Sequence, residues 1–253
     1  MPQKLDRCGE IVQNKYGTYA KIIDYQNWEN VIVEFQDEYK YKLHTTYQNF
    51  KNGELRNPYD KHICGIAYIG IGDYLIKDPL TNKSTEEYSR WSGIIHRCYD
   101  SNDKNKAYHD CKVSEEWLCF QEFAKWHFEN YYSIDNEKMR IDKDILFKGN
   151  KIYSADKCVF VPEKINLLFK NNKSQRGSSY IGVSKTDGYI RAGCSDENGK
   201  YQYLGVYKDE LTAFYVYKKY KESVIKKVAE EYKDKIPLKL YKAMCEYEVD
   251  LYD

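Results

Sequence analysis

None of the eight cysteines, at positions 8, 64, 98, 111, 119, 158, 194 and 245, stands in a CxxC pair. Their spacing argues against a zinc knuckle or ribbon, which needs paired thiolates. Cys98, His109, Cys111, Cys119 and His127 share one segment, but their intervals match no zinc pattern and read as packing. The N-terminus has no apolar stretch of the secretion-signal kind, and no run is long enough to span a bilayer. Free thiols in a reducing cytoplasm are therefore the expectation, with no membrane partner. Gly65, Gly70 and Gly72 do not make a nucleotide fingerprint, because the strand–GxGxxG–helix order is missing. No nucleophile–base set is visible, so an ordinary metabolic enzyme ranks last. Strong net charge is also absent: at +1 the chain is no simple polycation.

A chain of 253 residues can bury a sizeable core and carry more than one domain. Its charge is distributed unevenly. Residues 138–176 carry ten Lys or Arg against four acids, and residues 86–137 carry six against eleven. A basic segment in a neutral chain suits a phosphate-contacting surface, and equally an ordinary solvated Lys-rich face. The 27 tyrosines suit base stacking or an A+T-rich coding sequence, and the second accounts for most of them.

Residues 1–60 read as a small β module. Ile11-Val12, Tyr19–Ile23 and Val31–Phe35 are short β-branched or aromatic runs punctuated by Gly9, Gly17 and Gly53, and Tyr39–Leu43 alternates like a half-exposed strand. A twisted sheet or SH3-like barrel is expected there. Residues 61–85 read as a linker. From 86 to 131 the pattern turns helical: Tyr88, Trp91, Ile94, Ile95 and Cys98 form one apolar stripe. A second helix is expected from Val113, with Trp117, Phe120, Phe123 and Trp126 as core and Arg90 and Arg97 beside it, free to meet phosphates or nearby acids.

The stretch RIDKDILFKGNKIYSADKCVFVPEKINLLF at residues 140–169 organises the rest. A strand ends in Asp142-Lys143-Asp144, Lys148–Lys151 is a turn signal, Cys158–Val161 is a second strand, and Pro162 opens a short helix bearing Asn166. Asp142 and Asn166 would present hard oxygen ligands for one ion of the Mg²⁺ class. The stretch resembles the HNH, or ββα-metal, endonuclease motif, in the phage-encoded branch where Asp-Arg or Asp-Lys is followed by a Tyr-Ser-Pro-x-x-Cys turn, here Tyr153-Ser154-Ala155-Asp156-Lys157-Cys158 with Ala155 in place of the Pro. The Phe50–Pro58 phrase and the Tyr88–Trp126 segment resemble elements found before that motif. The resemblance implies DNA phosphodiester hydrolysis, with Asp142, Lys143 and Asn166 catalytic and Asp142, Asp144 and Asn166 on the metal. One departure stands out. The family's general base is a His after the Asp; here the residue is Lys143, and all five His lie upstream. An ordinary Lys is protonated at neutral pH and takes no proton from water.

Residues 171–179 form a basic linker. Residues 180–253 begin with three strands, Tyr180–Val183, Tyr189–Cys194 and Tyr201–Tyr207, with an Asp187-Gly188 hairpin turn between the first two. Asp209 then caps a long helix. The phrases YIGV, LGVY and AFYVYKKY make this part resemble the AP2 DNA-binding domain, which also occurs attached to HNH endonucleases. Strand alternation puts Tyr189, Arg191, Tyr201 and Tyr203 on one face with Lys185 at its edge. Lys148, Lys151, Lys170, Lys173 and Arg176 would follow a DNA backbone.

The expected protein is thus α+β, with a β module, a central helical and ββα segment (86–170) and a three-stranded sheet with helix. It is a phage-type protein of the bacterial cytoplasm that binds double-stranded DNA, with no nucleotide cofactor. It is either a Mg²⁺-dependent HNH-like endonuclease, or a catalytically inactive binder of DNA or of a host defence protein.

Overall fold

Alternation of bulky and polar residues starts the chain as strands, and helical stripes take over after residue 85. The computed structural model describes residues 6–100, 108, 110–170, 179–251 and 253. In chain order the elements begin β1 (Ile11–Gln13), β2 (Tyr19–Tyr25), β3 (Val31–Phe35), β4 (Lys42–Thr45), α1 (Tyr47–Lys51), α2 (Glu86–Tyr99), β5 (Lys112–Val113) and α3 (Phe120–Asn130). They continue with β6 (Met139–Asp142), β7 (Ile152–Tyr153), β8 (Val159–Pro162), α4 (Glu163–Leu168), β9 (Val183–Thr186), β10 (Tyr189–Ser195), β11 (Tyr201–Tyr207), α5 (Glu210–Tyr232) and α6 (Leu238–Cys245). The fold is mixed α+β. It divides into two units: Met1–Glu129 with Ile152–Ala155, and Asn130–Lys151 with Asp156–Asp253. Among the described residues no helix is long and apolar enough to cross a membrane.

In the first unit, β1 to β4 pair in sequence as an antiparallel meander. Alternate residues Ala20, Ile22, Val31, Val33 and Phe35 point inward and are buried with Phe50 and Leu55. Of the two forms expected, a twisted sheet or an SH3-like barrel, the barrel is corrected: the sheet is open. Its apolar face is covered by Phe50 of α1 and by Leu55, so burial is completed without joining β1 to β4. Residues 61–85, expected as a linker, are tied down instead. Gln121 of α3 donates to the Tyr74 carbonyl (3.0 Å) and accepts from the Tyr74 N–H (3.1 Å).

Thr85 caps α2 by accepting the Tyr88 N–H. The stripe Trp91, Ile94, Ile95 and Cys98 is buried. The second helix begins at Phe120 rather than Val113, because Val113 is spent on β5, which pairs in parallel with β7. The intervening Glu116–Leu118 is a 3-10 turn. Trp117 meets Trp126 at 4.6 Å and Phe123 at 5.0 Å between ring centroids, and its carbonyl accepts the Trp91 indole N–H at 2.7 Å.

In the second unit, β6 pairs antiparallel with β8, Asp142 opposite Val159, across the loop 143–158. α4 follows β8 directly, which completes a ββα arrangement. The sheet β11-β10-β9 is antiparallel, and its first strand begins at Val183 rather than Tyr180. Asp187 and Gly188 turn the β9–β10 hairpin at φ +53° and +77°, the left-handed pair that a two-residue turn requires. Asp209 caps α5 through Oδ1 to the Thr212 N–H, 2.7 Å.

α5 is the beam of this unit. Its first half buries Ala213, Phe214 and Tyr217 against Val183, Ala192 and Cys194 of the sheet. Its second half buries Val224, Ile225, Val228, Ala229 and Tyr232 against Ile145, Val159, Val161, Ile165 and Leu168 of the ββα region, with Leu240 and Met244 of α6 closing that core. Each large apolar side chain so buried contributes about 1.5–3 kcal/mol, so one helix commits both layers to each other.

Candidate nucleic-acid interface and ββα site

Asp142 closes strand β6 and bends the chain after it. Its Oδ1 accepts the backbone N–H groups of Asp144 and Ile145, each at 2.7 Å. Burial pushes the Asp142 carboxyl above the usual carboxylate range, and these two donors oppose the rise. Lys143 is buried. Its Nζ donates to both carboxylate oxygens of Asp144 at 2.7 Å and to the Asn150 carbonyl at 2.9 Å, and Asn150 Nδ2 donates back to the Lys143 carbonyl at 2.9 Å. An ammonium with three acceptors offers no lone pair to a water proton. Lys143 therefore staples the loop after β6, and Asp144 holds a cation that the chain itself supplies.

Asn166 lies half-buried in α4, and among the described residues no hydrogen bond joins it to Asp142. Asp142 Oδ1 and the Asp144 carboxylate are both engaged within the loop after β6. Among the described residues no three His, Cys, Asp or Glu side chains gather as a metal-holding group.

The basic residues divide into engaged and available ones. Lys148 donates to the Glu248 carbonyl at 2.9 Å and pairs with Asp253 at 2.7 Å, so it ties down the C-terminal tail. Lys185 pairs with Glu210 at 2.5 Å and stands opposite Ile190, on the helix-facing side of the sheet rather than at the edge of the outer face. Arg90 pairs with Glu86, and Arg97 donates to the Gly93 carbonyl. Lys151 and Lys170 are exposed and make no ion pair among the described residues. Lys173 and Arg176 lie outside the described residues.

The outer face of the sheet is set by alternation along β10. Ile190, Ala192 and Cys194 point to α5, which turns Tyr189, Arg191 and Gly193 outward. On β11, Tyr201 and Tyr203 stand opposite Ser195 and Gly193. A bulge at Ala192/Gly193, with Gly205 at φ +125° in the facing strand, then shifts the register and brings Val206 opposite Arg191. Tyr189, Tyr201 and Tyr203 are all more than half exposed. The Arg191 guanidinium lies 5.7 Å from the Tyr189 ring centroid and has no acidic partner among the described residues. Gly193 makes room for Tyr201, because a Cβ there would come 1.9 Å from its hydroxyl oxygen. Sequence alternation alone locates four of these residues. Val206 joins them only through the bulge, for which Gly205 is the available signal.

The result is a solvated face carrying three exposed rings and a guanidinium that makes no ion pair among the described residues, on a sheet backed by a helix. Such a surface can stack on bases and reach a base edge or a phosphate. Comparison of this chain with protein-family models, with characterised proteins and with solved structures gives no match.

Proposed function

We propose that the protein binds double-stranded DNA through the outer face of the β9–β11 sheet, and that its ββα unit serves as scaffold rather than as hydrolase. The observation that carries the reading is the pairing state of the cations. Lys143, Lys148 and Lys185 are spent on internal acids or carbonyls, whereas Arg191 lies by the Tyr189 ring, on the face that also carries Tyr201 and Tyr203, with no acid at ion-pair distance among the described residues. An antiparallel ribbon backed by a helix is a shape that the major groove admits. This is the binding role that the AP2 resemblance implies. The scaffold role is supported by Lys143, which stands where the HNH family places its general base and is engaged with three acceptors.

Fluorescence anisotropy with duplex DNA at several salt concentrations tests the reading. Affinity is expected to fall as salt rises. Arg191→Ala is expected to cost about 1–3 kcal/mol and to relax sequence preference. Unchanged binding by that variant, or a stoichiometric protein partner with no salt-sensitive DNA binding, would overturn it.

The hydrolytic reading keeps one support, the ββα order with Asp142 at the end of β6 and Asn166 on α4. There a Mg²⁺-class ion would stabilise charge on the phosphate, held by those two residues. Mg²⁺-dependent nicking of plasmid DNA, lost in Asp142→Ala, would restore it.

A further inference from the structure

A groove of about 1030 Å³ opens in the second unit between α4, the far end of the β10–β11 hairpin and α5. Two glycines shape its walls. The Tyr217 ring lies against Gly182, where a Cβ would come 2.0 Å from the ring, and Tyr201 lies across Gly193. Tyr201 thus belongs both to the outer face of the sheet and to the rim of the groove.

Lys164, Lys170 and Lys221 line the groove beside the carboxylates of Asp196 and Glu197. Asp196 is satisfied by the turn it caps, accepting the N–H groups of Asn198 and Lys200 at 2.9 Å and the Gln202 side chain at 2.8 Å. Glu197 pairs with Lys227 at 2.5 Å, and Lys164 pairs with Glu231 at 2.8 Å. Lys221 and Lys170 remain, with no acid at ion-pair distance among the described residues. Lys221 sits beside the buried Cys194, and burial pulls its ammonium below the usual lysine range. A half-buried ammonium without a counter-charge is a cost to the fold that a bound anion would remove.

We infer that this groove takes a backbone phosphate of the nucleic acid lying on the sheet, held by Lys221 with Lys170, while Tyr201 supports the adjoining base. The inference rests on the DNA-binding reading and deepens it. It assigns Arg191 to sequence reading and Lys221 to a contact blind to sequence. The rim shared through Tyr201 lets one strand pass from the face into the groove.

The test uses the full chain and a labelled duplex across a salt series. Lys221→Met keeps the aliphatic stem and removes the charge. It is expected to weaken binding evenly across sequences and to lower the slope of log affinity against log salt by about one, with Lys221→Arg restoring both. Its melting temperature is expected to equal or exceed that of the wild type, which a purely structural lysine would not allow. Acylation of Lys221 by an amine-reactive ester is expected to slow when duplex is present. If the wild type binds with normal salt dependence while Lys221→Met shows the same affinity and slope, or Lys221 acylates equally fast with and without DNA, this site is wrong and the sheet face stands. If the wild type shows no salt-sensitive DNA binding, both fall. Protection of Lys221 by an acidic peptide and not by duplex would reassign the groove to a protein partner.

Discussion

Asp142 shows how one side chain can serve backbone geometry and carry an electrostatic cost. Its Oδ1 fixes the turn through the amides of Asp144 and Ile145, while burial works against its charge. The folded chain holds a proton on this carboxyl to higher pH than the unfolded chain does. Folding therefore binds the extra proton between the two pKa values. Stability falls as pH rises from the ordinary aspartate value near 3.9 through the raised one, and the full cost is present above it. Asp142→Asn keeps an acceptor for both amides and removes the charge. It is expected to match or exceed wild-type stability at pH 7 and to flatten this part of the pH profile. Asp142→Ala removes the acceptor as well and is expected to lose about 1 kcal/mol, the usual worth of such a cap. Urea denaturation of the three proteins between pH 4 and 7 checks this; equal losses in Asn and Ala variants would show that the acceptor does not matter. Lys143 complements the pattern. Its position after Asp142 is plain in the sequence, but its partner carbonyl at Asn150 comes from the far side of the turn, which spacing does not reveal.

At the scale of elements, local signals were the legible ones. The Asp209 cap, the Asp187-Gly188 turn and the Trp91–Cys98 stripe each act within a few residues, and each is read directly from side-chain chemistry. Non-local pairing was not legible. β5 and β7 are two residues each, and their parallel pairing joins positions forty apart, with no pattern long enough to register. The choice between open meander and closed barrel escaped for a related reason, since short alternating strands suit both alike. The double role of α5 is also hidden. A single apolar stripe along 23 residues does not say that its two halves face different partners. A consequence can be measured. Val228 is fully buried against the ββα core and lies outside the sheet cluster. Val228→Ala is expected to cost about 1–3 kcal/mol. If α5 couples the two layers, amide hydrogen exchange accelerates in β10 as well as in β8. Faster exchange confined to β6, β8 and α4 would show that the layers open independently.

At the scale of the molecule, chain order and unit membership disagree. The sequence suggests modules laid end to end, with one segment from 86 to 170. The contacts place α2 and α3 in one unit and β6, β8 and α4 in the other, and return Ile152–Ala155 to the first. Those four residues are few but well connected. Tyr153 is buried, its carbonyl accepts the Ser114 N–H at 2.9 Å, β7 completes the β5 ladder, and the Ala155 carbonyl accepts the Trp126 indole N–H at 3.2 Å. A chain ended at residue 129 keeps α1, α2 and all but the last residue of α3, yet leaves the Ser114 N–H and the Trp126 indole without these acceptors and uncovers the apolar site filled by Tyr153. The lost burial and hydrogen bonds together amount to about 2–4 kcal/mol, a large share of what a domain this size holds in reserve. Residues 1–129 are therefore expected to unfold at lower urea, with red-shifted tryptophan emission, relative to a chain carried on through residue 158. Identical midpoints and emission for the two would mean that the returning tetrapeptide follows the first unit without stabilising it, and that the first unit is complete at Glu129.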